Sequence, residues 1–355
     1  MSSAPVARSR SWQTLLIGLL TVALVVLFLR DMNLRDAWDA VLHAHVGWLA
    51  LAVVVTMQTY VLRAWRWRWL LRPLGPTRFR TAFRTTVMGF AASFLLPGRV
   101  GELLRPYALA KQEGLNPPAA MATIVVERVL DLCTVLVLFA IAILVAGIAV
   151  PREIATAGML GAAAAIVGVL VLFVLAGHPE RIGRWAGWIT GFLPARMAAT
   201  ADHLVQTFVG GLRIMRSPKD LAWSIVWSVP LWLSIALGIV VTTWAFGLPM
   251  SFTGSFLVVG YLTVGVAVPT PGAAGGFHFF YKMALTQLFG APDSAAGAAA
   301  IVLHLVTFVP VTALGLLYMG QDGLTLGQVK SVGAEAAAGG SRIPATSEQE
   351  EARLS

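Results

Sequence analysis

The chain has 355 residues, 57% of them hydrophobic and 12% charged, with a formal net charge of +9. A soluble domain of this length carries about twice that charge fraction, so a water-excluding globular core is ruled out and lipid takes its place as the solvent. The positive balance does not point to nucleic acid, because the Arg residues cluster between apolar runs, where a positive-inside bias and anionic headgroups account for them.

From the N-terminus, Arg8 and Arg10 precede the apolar run 15–29. A signal peptide would end in a small-x-small cleavage site; here Arg30, Asp31, Met32 and Asn33 follow, so the run is expected to be a retained first span. Crossing a hydrocarbon core of about 30 Å takes roughly 20 helical residues. The full-length candidates are 12–30, 46–70, 119–149, 155–177, 221–246 and 295–319. Cys133, the one cysteine, lies inside the third of these, which excludes an internal disulfide and a cysteine metal site. Two stretches do not fit the spanning template. The uncharged run 85–96 is worth about 18 Å of helix and stops at Pro97-Gly98; the run 251–268 stops at Pro269, Thr270, Pro271 and Gly272. A short segment follows each break, 100–110 and 274–289.

Loop charges predict the orientation. Residues 63–84 hold seven Arg and no acid, and 177–220 hold six basic against three acidic residues. Residues 30–45 carry two Arg against three Asp, and the loops 247–251 and 290–294 hold only Asp293. The basic loops therefore face the cytoplasm. With each broken stretch counted as an out-and-back pair, both termini are cytoplasmic, and the expected location is the bacterial cytoplasmic (inner) membrane. In the second basic loop, Leu204, Phe208, Leu212 and Met215 recur at helical spacing beside Val205 and Val209. That stripe fits an amphipathic helix, either in the interface or packed on the cytoplasmic end of the bundle. From Lys330 the composition turns to Ala, Gly, Ser and Glu without an apolar period, which predicts a disordered tail.

The two breaks share the pattern P-G-x-x-G, as Pro97-Gly98-Arg99-Val100-Gly101 and Pro271-Gly272-Ala273-Ala274-Gly275. Lys111 and Lys282 stand in the segments beyond them. By the loop charges, the first hairpin enters from the cytoplasm and the second from outside, as an inverted-repeat transporter fold requires. Pro and Gly are common in membrane helices, so chance recurrence is the competing account. A helix broken inside a membrane frees N–H and C=O groups, which is tolerable only where the break is buried in protein or lines a wet cavity. New helix N-termini there aim positive dipole ends at an anionic group such as a lipid phosphate.

Charges also appear within the apolar stretches. Arg99, Glu102 and Arg105 follow the first break, and Glu127, Arg128 and Asp131 lie inside the next span. Their spacings of three and four place them within reach of one another on a helix. A charge at the bilayer centre costs about 2.5–3.5 kcal/mol on insertion scales, so these residues are expected to face the bundle interior, with Arg99 and Arg105 as the nearest cationic partners. The bland alternative is an ion-pair network that only fixes packing. His278 and His304 read as satisfied hydrogen-bonding groups or as pathway residues, and Lys282 as a pathway residue or one that snorkels outward. The ladder Arg63, Arg66, Arg68 and Arg72, interleaved with Trp65, Trp67 and Trp69, reads as an interface anchor that also gathers anionic lipid. No Walker loop, HExxH or GxSxG occurs.

The stretch Phe94-Leu95-Leu96-Pro97-Gly98-Arg99-Val100-Gly101-Glu102-Leu103-Leu104-Arg105-Pro106, with Glu127-Arg128-Val129-Leu130-Asp131, resembles the lysylphosphatidylglycerol synthase transmembrane-region family. Pro271-Gly272 through Gly275-Gly276-Phe277 is similar to that family's second glycine-rich signature. The resemblance covers 12 to about 319. It implies phospholipid flipping, the role of the membrane half of the bifunctional multiple-peptide-resistance proteins. It also admits likeness to polyprenyl-phosphate sugar transferases and to hopanoid transport. The chain ends soon after its last span without a soluble aminoacyl-transfer domain, so it is not expected to synthesise lysylphosphatidylglycerol. Where the second signature usually carries an acidic residue, this chain has His278.

The expectation is therefore an all-α polytopic membrane protein. It has about six full spans and two broken or re-entrant hairpins in an inverted repeat. Its parts are a cytoplasmic segment 1–11, one transmembrane domain 12–319 with halves 12–176 and 221–319 about a linker 177–220, and a tail 320–355. The expected task is a lipid transporter or flippase moving an anionic or lipid-linked amphiphile between leaflets. The alternatives are a membrane-embedded transferase acting on a polyprenyl-phosphate lipid and a non-catalytic partner of an envelope-assembly complex. The partner is a membrane phospholipid or isoprenoid lipid, with no nucleic acid, no cofactor and no metal. The substrate pathway is assigned to Arg99, Glu102, Arg105, Glu127, Arg128, Asp131, His278 and Lys282, and the broken-helix motifs to Pro97, Gly98, Gly101, Pro271, Gly272 and Gly275.

Overall fold

A computed structural model describes residues 7–96, 100–176, 217–268, 270–325 and 327–328. These form helices α1 (Ala7–Leu29), α2 (Leu34–Leu42), α3 (Val46–Leu71), α4 (Phe79–Leu95), α5 (Gly101–Glu113), α6 (Pro117–Val145), α7 (Arg152–Ala176), α8 (Pro218–Ala245), α9 (Ser255–Ala267), α10 (Gly276–Phe289) and α11 (Asp293–Gln321). The chain is an all-α polytopic membrane protein. Local chemistry sets several boundaries. Asn116 Oδ1 accepts from the Ala119 amide 3.2 Å away and Pro117 opens α6; Ser217 and Pro218 repeat the device at α8, with Asp220 N–H donating to Ser217 Oγ at 3.3 Å. A side-chain oxygen at the cap and a proline at the first helical position both suit groups that the helix leaves unpaired. Glycines in the left-handed region, Gly114 and Gly290, end α5 and α10.

Four of these helices, α3, α6, α8 and α11, are long and apolar enough to cross a membrane, and α1 with α2 makes a fifth if that bent pair counts as one span. These four or five are counted among the described residues, against an expectation of about six full spans. α1 covers the first candidate as one 23-residue helix, with the 77° bend to α2 following its end, and α7 runs for 25 residues over the fourth. The amphipathic stripe at 204–215 and the tail beyond 330 lie outside the described residues.

The chain divides into two compact units. Unit 1 comprises Met1–Thr56, Val135–Met159 and Ser234–Pro310; unit 2 comprises Met57–Thr134, Leu160–Leu233 and Val311–Ser355. In unit 2, Trp67, Leu70, Leu71, Ala82, Leu109 and Ala120 belong to one buried cluster. Trp65 meets Trp227 at 6.1 Å and Trp69 stacks on Trp223 at 5.6 Å. In unit 1, Ala52, Val241 and Val306 pack together, and Trp48 meets Trp244 edge-on at 5.5 Å.

Each unit contains one helical hairpin. In unit 2, α4 packs on α5; α4 begins at Phe79, earlier than the uncharged run alone predicts, because Arg80 and Arg84 are taken into its first turns. The helices touch at Gly89 and Gly101: a Cβ on Gly101 would overlap the Gly89 carbonyl, and one on Gly89 would lie 2.8 Å from the Gly101 carbonyl and 2.7 Å from Arg105 Cβ. In unit 1, α9 packs on α10 in the same way. A Cβ on Gly265 would lie 2.7 Å from the Gly276 carbonyl, and one on Gly276 would overlap the Gly265 carbonyl. Only glycine permits such backbone approach.

A candidate anion-handling cluster

In unit 2, α6 carries Glu127 and Asp131 one turn apart, and both are buried, at 0% and 5% exposure. Two turns of α3 face them with Arg63 and Arg66, also buried. From α5, Arg105 reaches in along the face that Gly89 leaves open. Arg66 Nη1 donates to Asp131 Oδ1 at 2.6 Å and to Ser228 Oγ at 3.0 Å. Trp232, one turn beyond Ser228 on α8, donates its indole N–H to the same carboxylate oxygen at 3.1 Å. Arg105 Nη1 donates to Glu127 Oε1 at 2.9 Å, while its guanidinium carbon stands 3.8 Å over the Trp67 ring. That ring is held in turn by its indole N–H, which donates to Thr123 Oγ1 at 2.8 Å. A cation over an indole face is attracted by the ring quadrupole, so the stack holds Arg105 in addition to its carboxylate.

Glu127 Oε1 is the hub. Besides Arg105 it has Arg66 Nη2 at 3.4 Å, Arg63 Nη1 at 3.7 Å and Arg128 Nη2 at 3.8 Å. Arg63 also stands 3.6 Å from Asp131 Oδ2 and 4.9 Å over the Phe90 ring. Arg128 donates to Asp131 Oδ2 at 3.4 Å and reaches Glu102 Oε2 at 3.9 Å. Both residues of that last pair are about a third exposed, so they form the edge of the cluster. Among the described residues, four guanidiniums thus stand against three carboxylates, a surplus of positive charge. Among the described residues, Nε and Nη1 of Arg63, Nε and Nη2 of both Arg66 and Arg105, and Glu127 Oε2 are buried without a hydrogen-bond partner.

The sequence-predicted residues fall into three groups. Glu102, Arg105, Glu127, Arg128 and Asp131 converge as the helical spacing implies. Pro97, Gly98 and Arg99 lie outside the described residues, so the cationic partners seen for Glu127 and Asp131 are Arg105, Arg66, Arg63 and Arg128. Arg63 and Arg66 correct the reading of the α3 ladder as an interface anchor. Their spacing of three puts them on one face, whereas Arg72 is exposed and Arg68 donates to the Thr77 carbonyl at 2.9 Å, with its guanidinium over Trp65. The signal for them is an Arg pair one turn apart inside an otherwise apolar helix, which a uniform reading of the ladder hides.

The unit 1 hairpin has a different interior. Its break runs through a short 3-10 turn, Pro271–Ala273, with Gly272, Ala273 and Gly275 at φ 58°, 57° and 83°. A side chain at Gly275 would be strained by its φ of 83° and crowded, with a Cβ 3.0 Å from Leu24 Cβ. His304 Nε2–H donates to the Gly272 carbonyl at 2.9 Å, and His278 Nδ1 accepts from the Gly275 amide at 3.4 Å. The two imidazole centroids are 4.6 Å apart, packed with Phe277, Phe308 and Phe28. Lys282 is not an outward-snorkelling residue. It is buried, donating to the carbonyls of Phe28 at 3.2 Å and Arg30 at 2.6 Å and pairing with Asp293 at 3.0 Å. Its three N–H bonds are therefore spent on fastening the end of α1 to the start of α11.

Comparison with known proteins agrees with this architecture. A UPF0104 membrane protein of Methanothermobacter thermautotrophicus is 26% identical over 283 residues, covering 76% of this chain and 82% of the relative. A second, from Methanocaldococcus jannaschii, is 23% identical over 323 residues, covering 84% and 94%. Glycosyltransferase AglD of Haloferax volcanii is 24% identical over 324 residues, 82% of this chain and 51% of the relative. The model for the lysylphosphatidylglycerol synthase TM region matches residues 15–315, and the chain belongs to that family of multi-pass membrane proteins.

Proposed function

We propose that the chain is a lipid transporter that passes an amphiphile with an anionic, phosphate-bearing headgroup between leaflets, using the unit 2 cluster as the headgroup's stopping point. One observation carries the reading: a buried site with more guanidiniums than carboxylates and with N–H groups that meet no acceptor. A buried charge without a partner is costly, and an arriving phosphate supplies both the missing charge and the missing acceptors in a geometry that guanidinium forks match. Arg128 and Glu102 are the accessible members. A headgroup first competes with Glu102 for Arg128, then meets Arg105, Arg66 and Arg63 behind it. Loop charge supports both termini in the cytoplasm and hairpins that re-enter from opposite sides, as in an inverted repeat.

The test is lipid exchange in liposomes scored beside thermal melting of the same purified variants. Arg105→Gln should cut exchange at least about tenfold, equivalent to ~1.4 kcal/mol, beyond whatever the loss of melting from breaking its buried pair with Glu127 accounts for. If full exchange survives in well-folded Arg105→Gln and Glu127→Gln, the cluster is not the pathway. A transferase acting on a polyprenyl-phosphate lipid is the second reading, favoured by the likeness to a protein named as a glycosyltransferase. An acceptor-dependent product from purified protein selects it; exchange without any product selects transport. For orientation, cysteines placed in a Cys133→Ala background at Asn33 and Asp293 should react with an impermeant outside label, and one at Arg78 should not.

A further inference from the structure

Helix α2 has three sides. Ala37 is buried, with Ala40 and Val41 beside it half-buried. Arg35, Asp36 and Asp39 occupy an exposed polar sector, and Leu34, Trp38 and Leu42 share a third sector at 66%, 65% and 64% exposure. At 3.6 residues per turn, spacings of four keep these last three in one stripe between the buried side and the charged sector, with Arg35 at its border and Asp36 farthest from it. The helix turns 77° from α1, which is a 23-residue apolar helix, and leads within a few residues into the spanning helix α3. A short amphipathic helix that joins two apolar helices across a sharp bend is placed to lie along the membrane surface.

We propose that α2 is a bilayer-surface helix whose Leu34, Trp38 and Leu42 stripe inserts into the headgroup–acyl boundary. Three observations name lipid as the occupant. The helices on either side of α2 in the chain, α1 and α3, also expose large apolar side chains, among them Val22, Val26, Val46 and Val54. The stripe's central residue is a tryptophan, whose amphipathic ring favours that depth. The polar sector carries one Arg against two Asp, so burial of the stripe holds the helix down rather than attraction to anionic headgroups. The bend is also held from below. Lys282 Nζ bonds the Phe28 and Arg30 carbonyls, and the Asn33 amide donates to Ser294 Oγ at 3.0 Å. Asn33 Oδ1 then caps α2 by accepting from the Arg35 amide at 3.0 Å. The bend that leads into the surface helix is thereby fastened to α10, the second arm of the unit 1 hairpin, through Lys282 and to α11 through Ser294.

Spin labels placed one at a time at Leu34, Trp38, Leu42, Arg35 and Asp39 in the full chain with Cys133→Ala test this in nanodiscs of phosphatidylcholine alone and with phosphatidylglycerol. The stripe positions should be reached by oxygen and shielded from a water-soluble nickel complex, and the charged positions should show the inverse. The profile should be the same in both lipid mixtures, and in Lys282→Met the contrast between the two faces should collapse. Nickel access at all five positions overturns the proposal. So does shielding of the stripe from both reagents, which with dipolar broadening between labels means a second copy covers it and without broadening means another segment of the chain does. A profile that deepens with phosphatidylglycerol overturns the assignment to apolar burial, and an unchanged contrast in Lys282→Met overturns the fastening to α10. None of these readouts depends on whether the unit 2 cluster moves lipid.

Discussion

The two hairpins are built by one backbone device and filled with opposite chemistry. In both, a glycine on each arm lets the helices touch main chain to main chain, Gly89 with Gly101 and Gly265 with Gly276. Around the first, the side chains are charged: Arg105 projects beside the glycine crossing into a ring of Arg and carboxylate groups. Around the second, they are aromatic, and two imidazoles take up polar groups of the break. The close crossing is therefore a property of the scaffold, while the interior is free to differ. Excess charge sits at one hairpin, and that is where an anionic headgroup is expected to act.

The sharpest way to break the comparison is to remove the hub of the charged interior. Glu127→Gln leaves four guanidiniums around Asp131 and the more distant Glu102, and breaking a buried pair costs about 3–5 kcal/mol. Detergent melting and folded yield should both fall steeply. The double substitution Arg105→Gln with Glu127→Gln should recover part of that stability without recovering lipid exchange. Stability recovered together with exchange would mean the cluster is packing alone.

The glycine crossings come next. Gly101→Ala and Gly276→Ala each drive a Cβ into the opposing backbone, and overpacking of this kind costs about 1–3 kcal/mol. The two variants should be destabilised alike if the device is shared; a tolerated substitution in one hairpin would separate them. Gly89→Ala carries an extra consequence. Its Cβ presses on Arg105, so exchange should drop further than melting predicts, whereas Gly265→Ala should lower both in proportion.

The smallest expected effect lies at the second break. His304→Leu deletes the donor to the Gly272 carbonyl, worth about 0.5–1.5 kcal/mol net, while His304→Gln can present an amide N–H in nearly the same place. Melting should therefore order wild type, Gln, Leu. An equal loss in both variants would show that ring packing against Phe308, and not the hydrogen bond, carries the contribution.

Much of this molecule is legible in its amino-acid order alone. Apolar runs at bilayer length set the class, because in lipid a span satisfies its own backbone and little else is required of it. Pro and Gly mark both breaks, since their effect on φ and on hydrogen bonding is local. Glu127, Arg128 and Asp131 announce an interior face, because charge in an apolar helix has nowhere else to go. Tertiary structure alone decides the partners. In an apolar helix the hydrophobic pattern does not distinguish the lipid side from the protein side, so the spacing that puts Arg63 and Arg66 on one face does not say which neighbours that face meets. Asp131 binds Arg66 across 65 positions and Lys282 binds α1 across more than 250, contacts that depend on which helices are neighbours. The bend that turns α2 away from α1 belongs with them, because its fastening comes from Lys282, Asp293 and Ser294, residues at the other end of the chain.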